Sequence, residues 1–167
     1  KKEMQNKRQS GNVTRWHTIP TIKRQTVAEH SWGVAMICRQ LWPDNYTLIE
    51  AALCHDLGEG FTGDVPWPAK MSNERFKLEL EEMELLYLKR LDCNVWLNTV
   101  DREKLKIADM LEVLYFALEE INMGNQNFKD IFNRGYNCLD MIVDKPFGVL
   151  NELIDLNNRY KELTNAS

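Results

Sequence analysis

Cys54-His55-Asp56-Leu57-Gly58-Glu59 is the stretch whose reading decides the fold. It closes a run, Leu48-Ile49-Glu50-Ala51-Ala52-Leu53, that is apolar nearly all round a helix, and it passes straight into Gly60, Gly63, Pro66 and Pro68. A helix of that composition is expected to be central and buried, with Gly58 as its terminator. His55 and Asp56 then lie near the end of a buried helix, where an unpartnered charge is costly. The simplest partner for a neutral imidazole beside a carboxylate is a divalent cation.

Working outward, Thr47-x-x-Glu50 has the form of a capping box and is expected to start this helix, which ends near Leu57. Upstream, Thr26-x-x-Glu29 predicts a helix from Thr26 that carries Val27, Val34, Ile37, Cys38 and Leu41 and stops before Pro43, with His30 in its first turn. Residues 1–12 form a frayed or weakly helical lead-in, and Val13 to Pro20 an extended or turn-like segment. Downstream, 58–71 is expected to be a Gly- and Pro-rich loop of the kind that carries function. Ser72 is expected to cap an amphipathic helix to about Leu91, with Phe76, Leu80, Met83, Leu86, Tyr87 and Leu91 as its stripe. Glu79, Glu81, Glu82 and Glu84 form its solvated face. Asp101 opens a long helix to about Met123, ended by Gly124, and two further helices cover about 127–143 and 146–163 with Pro146 between them. No segment alternates with a period of two, so the expectation is an all-α fold in one domain, 1–167.

The totals agree. A chain of 167 residues with 44% hydrophobic residues can bury a real core. A net charge of -4 argues against a broad nucleic-acid surface, so an anionic ligand must be met by a few local Lys and Arg. No apolar run approaches the roughly 20 residues of a membrane span, and no secretory signal is visible. Cys38, Cys54, Cys93 and Cys138 form no C-x-x-C and are expected to be reduced core thiols in a cytosol-like compartment.

With His17, His30 and His55 the available imidazoles, His30 and His55 fall on helices expected to be neighbours, and Asp56 adds a carboxylate. Asp109 completes the set, because Leu105, Ala108, Leu111 and Tyr115 surround it at core spacing. Two imidazoles and two carboxylates suit Mn, Fe, Co, Ni or Zn and leave positions for water and a phosphate oxygen. The plain alternative is a pair of hydrogen-bonded core histidines. Glu59, four residues after His55, is placed to take a proton from an attacking water, or it is a surface residue of a last turn. Asp64 positions that water or a substrate hydroxyl, or simply forms a turn. Arg15, Lys70 and Lys106 are the candidates for phosphate, each otherwise a surface cation. Trp16 either stacks on a base or serves as a core or lid aromatic.

His30, His55-Asp56 and Asp109 resemble the H…HD…D ligand signature of the HD-domain phosphohydrolases. Arg15-Trp16, Gln25-x-Val27-Ala28-Glu29-His30-Ser31 and His55-Asp56-x-x-Glu59 followed by Thr62-Gly63-Asp64-x-Pro66-x-Pro68-x-Lys70 are similar to bacterial 5'-deoxynucleotidases. They are equally similar to the phage dATP and dNTP triphosphohydrolases of the same subfamily. The resemblance implies an HD-domain helical bundle with a central buried metal site, acting on 2'-deoxynucleoside 5'-phosphates. It implies a divalent metal (Co, Mn, Zn, Ni, Fe or Mg) on His30, His55, Asp56 and Asp109, Glu59 as the base or acid, and Asp64 assisting. Arg15 and Lys70, with Lys106, would meet phosphate or sugar, Gln25 would line the pocket, and Trp16 and Pro68 would flank the base. The short His30-to-His55 interval leans towards the phage enzymes, whose site of action is the host cytoplasm. The partner expected is a small deoxynucleotide, with neither nucleic acid nor membrane, in a homo-oligomer.

Overall fold

The structure, a computed structural model, describes residues 2–143 and 145–165. Position 1 of the expected lead-in and the last two positions of the expected domain lie outside the described residues, as does 144. Among the described residues the fold is helical without a strand: α1 (Lys2–Ser10), α2 (Val27–Leu41), α3 (Tyr46–Cys54), α4 (Glu59–Thr62), α5 (Trp67–Met71), α6 (Glu74–Arg90), α7 (Thr99–Asn122), α8 (Phe128–Asp140) and α9 (Phe147–Asn165). None of these helices is long and apolar enough to cross a membrane.

The expected start of α2 is met in detail: the Thr26 side chain accepts from the Glu29 amide while Glu29 reaches back to the Thr26 amide. The expected start of α3 is not. Asn45, two residues ahead of Thr47, accepts from the Leu48 amide and takes the cap, and its side-chain amide also donates to Asp101. Asn73 rather than Ser72 caps α6, and Asn98 rather than Asp101 caps α7. Asn is as good a cap as Ser or Asp, so the competing residue nearest the true first turn wins in each case. Gly124 ends α7 with φ at 97°, a left-handed turn that favours glycine.

The central helix is α7, not α3. α3 has nine residues and buries Leu48, Ala51 and Ala52, but Leu53 and Tyr46 are exposed. α7 has 24 and serves both halves of the core. Its Ala108 packs with Val34, Cys38, Leu48 and Ala52. Its Leu111, Leu114, Phe116, Leu118 and Ile121 pack with Phe128, Phe132, Val149, Leu153 and Leu156 of α8 and α9. The α6 stripe is only partly covered: Leu80 and Leu91 are buried, while Phe76, Met83 and Leu86 stay exposed. α6 rests on α4 and α5, which are too short to cover its whole length.

The lead-in is a helix, α1, and its Ser10 packs on Gly60. The expected loop 58–71 contains α4 and α5; Pro68 is tolerated because it falls in the first turn of α5. Cys38 and Cys93 are buried and Cys54 half-buried, all free thiols, but Cys138 faces outward on α8 and is not a core residue.

Candidate metal centre

Residues 13–15 pair antiparallel with 25–27, through a bridge between Thr14 and Thr26 and bonds from the Arg15 amide to Gln25 O (3.0 Å) and the Val27 amide to Val13 O (2.9 Å). This lays Arg15 and Trp16 against the start of α2. The far end of the arm is held by buried Glu120, which accepts from the Ile22 and Lys23 amides and from Asn125. Trp16 sits at φ 62°, a left-handed conformation rare for a bulky residue. Such strain is found where surrounding contacts hold it, and here the Asp64 carboxylate accepts from the Trp16 amide.

His30 leaves the first turn of α2 fully buried. α3 stops at Cys54, and the chain continues in tight turns with i to i−3 bonds (Leu57 to Cys54, Glu59 to Asp56, Gly60 to Leu57). His55 and Asp56 occupy the first of those turns. One ligand atom from each of His30, His55 and Asp56 falls within 4.8 Å of the others. Asp56 Oδ2 is 3.5 Å from His30 Nε2 and 3.3 Å from His55 Nε2. Asp109 approaches from α7, its Oδ1 3.0 Å from His30 Nε2. The His55 Nδ1–H donates to Ala52 O at 2.7 Å, which leaves Nε2 with its lone pair.

The buried Nε2 atoms of His30 and His55 make no aligned hydrogen bond. Orphaned buried nitrogens facing carboxylates fit a cation between them, and the nitrogen and oxygen donors suit a first-row transition metal. Charge supports the same reading. Burial would lower the His30 pKa, but the Asp109 and Glu112 carboxylates lift it to about 9. Against the cost of desolvation, His30, His55 and Arg15 hold the Asp109 carboxyl down to about 2; its side chain is 43% exposed, not enclosed as its core spacing suggested.

Glu59, the first residue of α4, is buried. Burial and the Asp56 and Asp64 carboxylates push its pKa up to about 8, against Arg15 and Lys70. Its Oε2 has no hydrogen-bond partner, and Lys70 Nζ is 3.7 Å from Oε1. Arg15 donates from a terminal nitrogen to Asp56 at 2.9 Å, while its buried Nε is unpartnered. Burial opposes its charge, and Asp56, Asp109, Glu59 and Asp64 more than offset that. Gln25 is buried, its amide held between Trp16 and Glu112. Trp16 packs on Phe116, ring planes nearly parallel at 5.9 Å, and edge-on to Phe128 at 5.3 Å. Lys106 and Pro68 are exposed.

Two residues escaped sequence reasoning. Glu112 is buried beneath His30 and accepts from its Nδ1. Glu84, expected on the solvated face of α6, is turned inward, accepting from Thr62 at 3.2 Å with Lys70 Nζ at 3.8 Å. Burial raises its pKa. For Glu112 a signal existed, since it follows Asp109 by three residues and so shares its face of α7.

A family model described as 5'-deoxynucleotidase YfbR-like matches residues 8–95. The chain belongs to the YfbR-like family. A dATP triphosphohydrolase of Salmonella phage PMBT28 is 36% identical over 64% of this chain; the match spans 61% of that relative's length, less than two thirds. The 5'-deoxynucleotidase YfbR of Salmonella arizonae is 28% identical over 70% of this chain and 71% of its own. The fold resembles that of a cyanophage S-2L HD phosphohydrolase, DatZ, bound to dA and one catalytic Zn2+ (TM-score 0.69, 23% identity, 95% of this chain and 96% of that one). It equally resembles an HD-domain phosphohydrolase of Listeria innocua (TM-score 0.70, 21% identity, 99% and 98%). The HD phosphohydrolase expectation for the fold is met.

Proposed function

We propose that this chain is one HD domain and a divalent-metal-dependent phosphohydrolase of 2'-deoxynucleoside 5'-phosphates. The reading leans to a dATP or dNTP triphosphohydrolase that releases tripolyphosphate. The observation that carries it is the convergence of His30 Nε2, His55 Nε2 and Asp56 Oδ2, with both imidazole nitrogens buried, facing carboxylates and without an aligned hydrogen bond. His30, His55, Asp56 and Asp109 would hold the metal. When bound, a divalent cation supplies Lewis-acid activation of water and of the phosphoryl group.

Glu59, whose pKa burial, Asp56 and Asp64 push up to about 8, accepts the proton of the attacking water and returns it to the departing O5'. Asp64 holds the Trp16 amide and with it the position of Arg15. Arg15 through its free Nε–H, and Lys70 with it, bind the phosphate charge. Lys106, exposed on α7 three residues before Asp109, meets the outer phosphates. Gln25 and Trp16 shape the wall, with Pro68 over the base. For a monophosphate or a triphosphate the bond broken is the one between the α-phosphorus and O5', and the products differ in what that phosphorus carries.

A second reading, favoured by the family match itself, is a 5'-deoxynucleotidase that releases inorganic phosphate from deoxynucleoside monophosphates. Ion chromatography of the metal-loaded protein with dATP, dGTP, ATP and dAMP separates the two. Tripolyphosphate from dATP supports the first, and phosphate from dAMP alone supports the second. No turnover under Mn, Co, Zn or Mg contradicts both and leaves a nucleotide-sensing module.

A further inference from the structure

Glu112 lies beneath the metal-facing imidazole, at the inner end of a chain of hydrogen bonds with a direction. The Trp16 indole Nε1–H donates to Gln25 Oε1 at 2.7 Å. Gln25 Nε2–H donates to Glu112 Oε1 at 2.8 Å. The other carboxylate oxygen, Glu112 Oε2, is bonded to His30 Nδ1. An indole nitrogen can only donate, an amide has one accepting and one donating end, and an ionised carboxylate can only accept. With Trp16 at one end the Gln25 amide has a single orientation. Its NH2 group must face Glu112, and Glu112 is then left to accept the Nδ1–H of His30. A neutral His30 protonated at Nδ1 keeps its lone pair on Nε2, the atom that faces Asp56, Asp109 and His55.

α2 makes room for this arrangement. A Cβ at Gly33, one helical turn beyond His30, would lie 2.8 Å from Glu112 Cγ and 3.2 Å from its Oε1. A glycine in a helix interior is less favourable than alanine, and here it lets the carboxylate lie against the helix.

We infer that Glu112 is a positioning residue, directed by Trp16 through Gln25, that fixes His30 with its Nε2 lone pair turned to the candidate metal site. This gives Trp16 and Gln25 a role apart from any contact with a base. It rests on the reading that His30 is a metal ligand.

The test uses the polarity of the chain. Gln is isosteric with Glu, but in Glu112→Gln the oxygen of the new amide is claimed by Gln25 and its NH2 group faces His30 Nδ1, which favours the wrong tautomer. Trp16→Phe removes the donor that locks Gln25. In the double variant Gln25 is free to turn over, and the amide introduced at position 112 can again accept from His30. Zn2+ affinity is measured by competition against a chromophoric chelator for the wild type, each single variant and the pair. Glu112→Gln should bind zinc roughly 10- to 100-fold more weakly, as for other groups that orient a metal-bound histidine. Trp16→Phe alone should lose less, and the double variant should regain much of the affinity lost in Glu112→Gln.

Losses that simply add, or Glu112→Gln binding as tightly as the wild type, would overturn the inference. A wild type that binds no zinc would overturn it together with the metal reading, so the two failures are distinct. Long-range 1H–15N correlation on 15N-histidine-labelled, zinc-loaded protein gives a second readout, with three His to assign. It should place the His30 proton on Nδ1 in the wild type and the double variant. A proton on His30 Nε2 in the wild type would contradict the inference directly, and the exposed His17 reports whether each variant is folded.

Discussion

Glu59 and His30 bind protons more tightly in the folded chain than their unfolded counterparts do, and that has a measurable consequence for the metal-free protein. Burial with Asp56 and Asp64 raises Glu59 from 4.5 to about 8. Against the opposing effect of burial, Asp109 and Glu112 raise His30 from 6.5 to about 9. For each group the folded state holds the extra proton between its unfolded and folded values, so stability falls as pH rises through that window. The melting temperature of chelator-treated protein should therefore fall from about pH 5 to about pH 9. Glu59→Gln should remove the Glu59 share, which is the whole of the fall below about pH 6.5 and part of it up to about pH 8, a contribution on the order of a few kcal/mol, and should leave the His30 share up to about pH 9. An identical fall in the variant would show that the Glu59 proton is not stabilised by folding. The same variant, loaded with metal, should keep the metal and lose most of its turnover. That His30, His55 and Asp56 come together, with Asp109 beside His30, was legible because their spacing from caps and core positions is a local property. Glu84 was not, because a helical glutamate is ordinarily solvated and only Lys70, distant in sequence, marks it as turned inward; Glu112 had a local signal in its spacing from Asp109, but its partner His30 lies far away in the sequence.

The turn that carries Glu59 is clamped on both sides by glycines. A Cβ on Gly58 would lie 2.8 Å from Glu84 Cβ and 3.0 Å from the Glu84 carbonyl of α6; on Gly60 it would lie 2.6 Å from Ser10 Cβ of α1. Gly60→Ala should cost about 1–3 kcal/mol in chemical denaturation through overpacking and should lower turnover by displacing Glu59. Wild-type stability and rate in that variant would mean that α1 does not brace the site. Caps supply a sharper contrast. Asn45→Ala should lose about 1 kcal/mol, while Thr47→Ala should change stability by less than about 0.5 kcal/mol; the reverse order would return the start of α3 to Thr47. Helix periodicity was legible along the chain because it depends on side-chain spacing alone. Which of two nearby capping residues is used depends on the entry path of the chain, which spacing does not contain. The same limit hid the primacy of α7, since apolar residues all round α3 say that it touches neighbours but not which helix the others gather on.

At the scale of the whole molecule, α2, the turn after α3, and α7 each bring ligand candidates to one point, while the arm at 13–16 and helices α1 and α6 close around Glu59. A ligand bound by this arrangement and not by the unfolded chain stabilises it by mass action, about 2.7 kcal/mol at a concentration 100-fold above Kd. Chelation should therefore lower the melting temperature, and restoring metal should recover it; no shift in either direction would mean that the folded chain binds no metal. The most direct test of the central claim is an anomalous difference map at the zinc edge from a zinc-loaded crystal. The account predicts one peak, about 2.0–2.2 Å from His30 Nε2, His55 Nε2 and oxygens of Asp56 and Asp109. An ordered site without that peak, or zinc bound elsewhere with these four side chains unengaged, would contradict it.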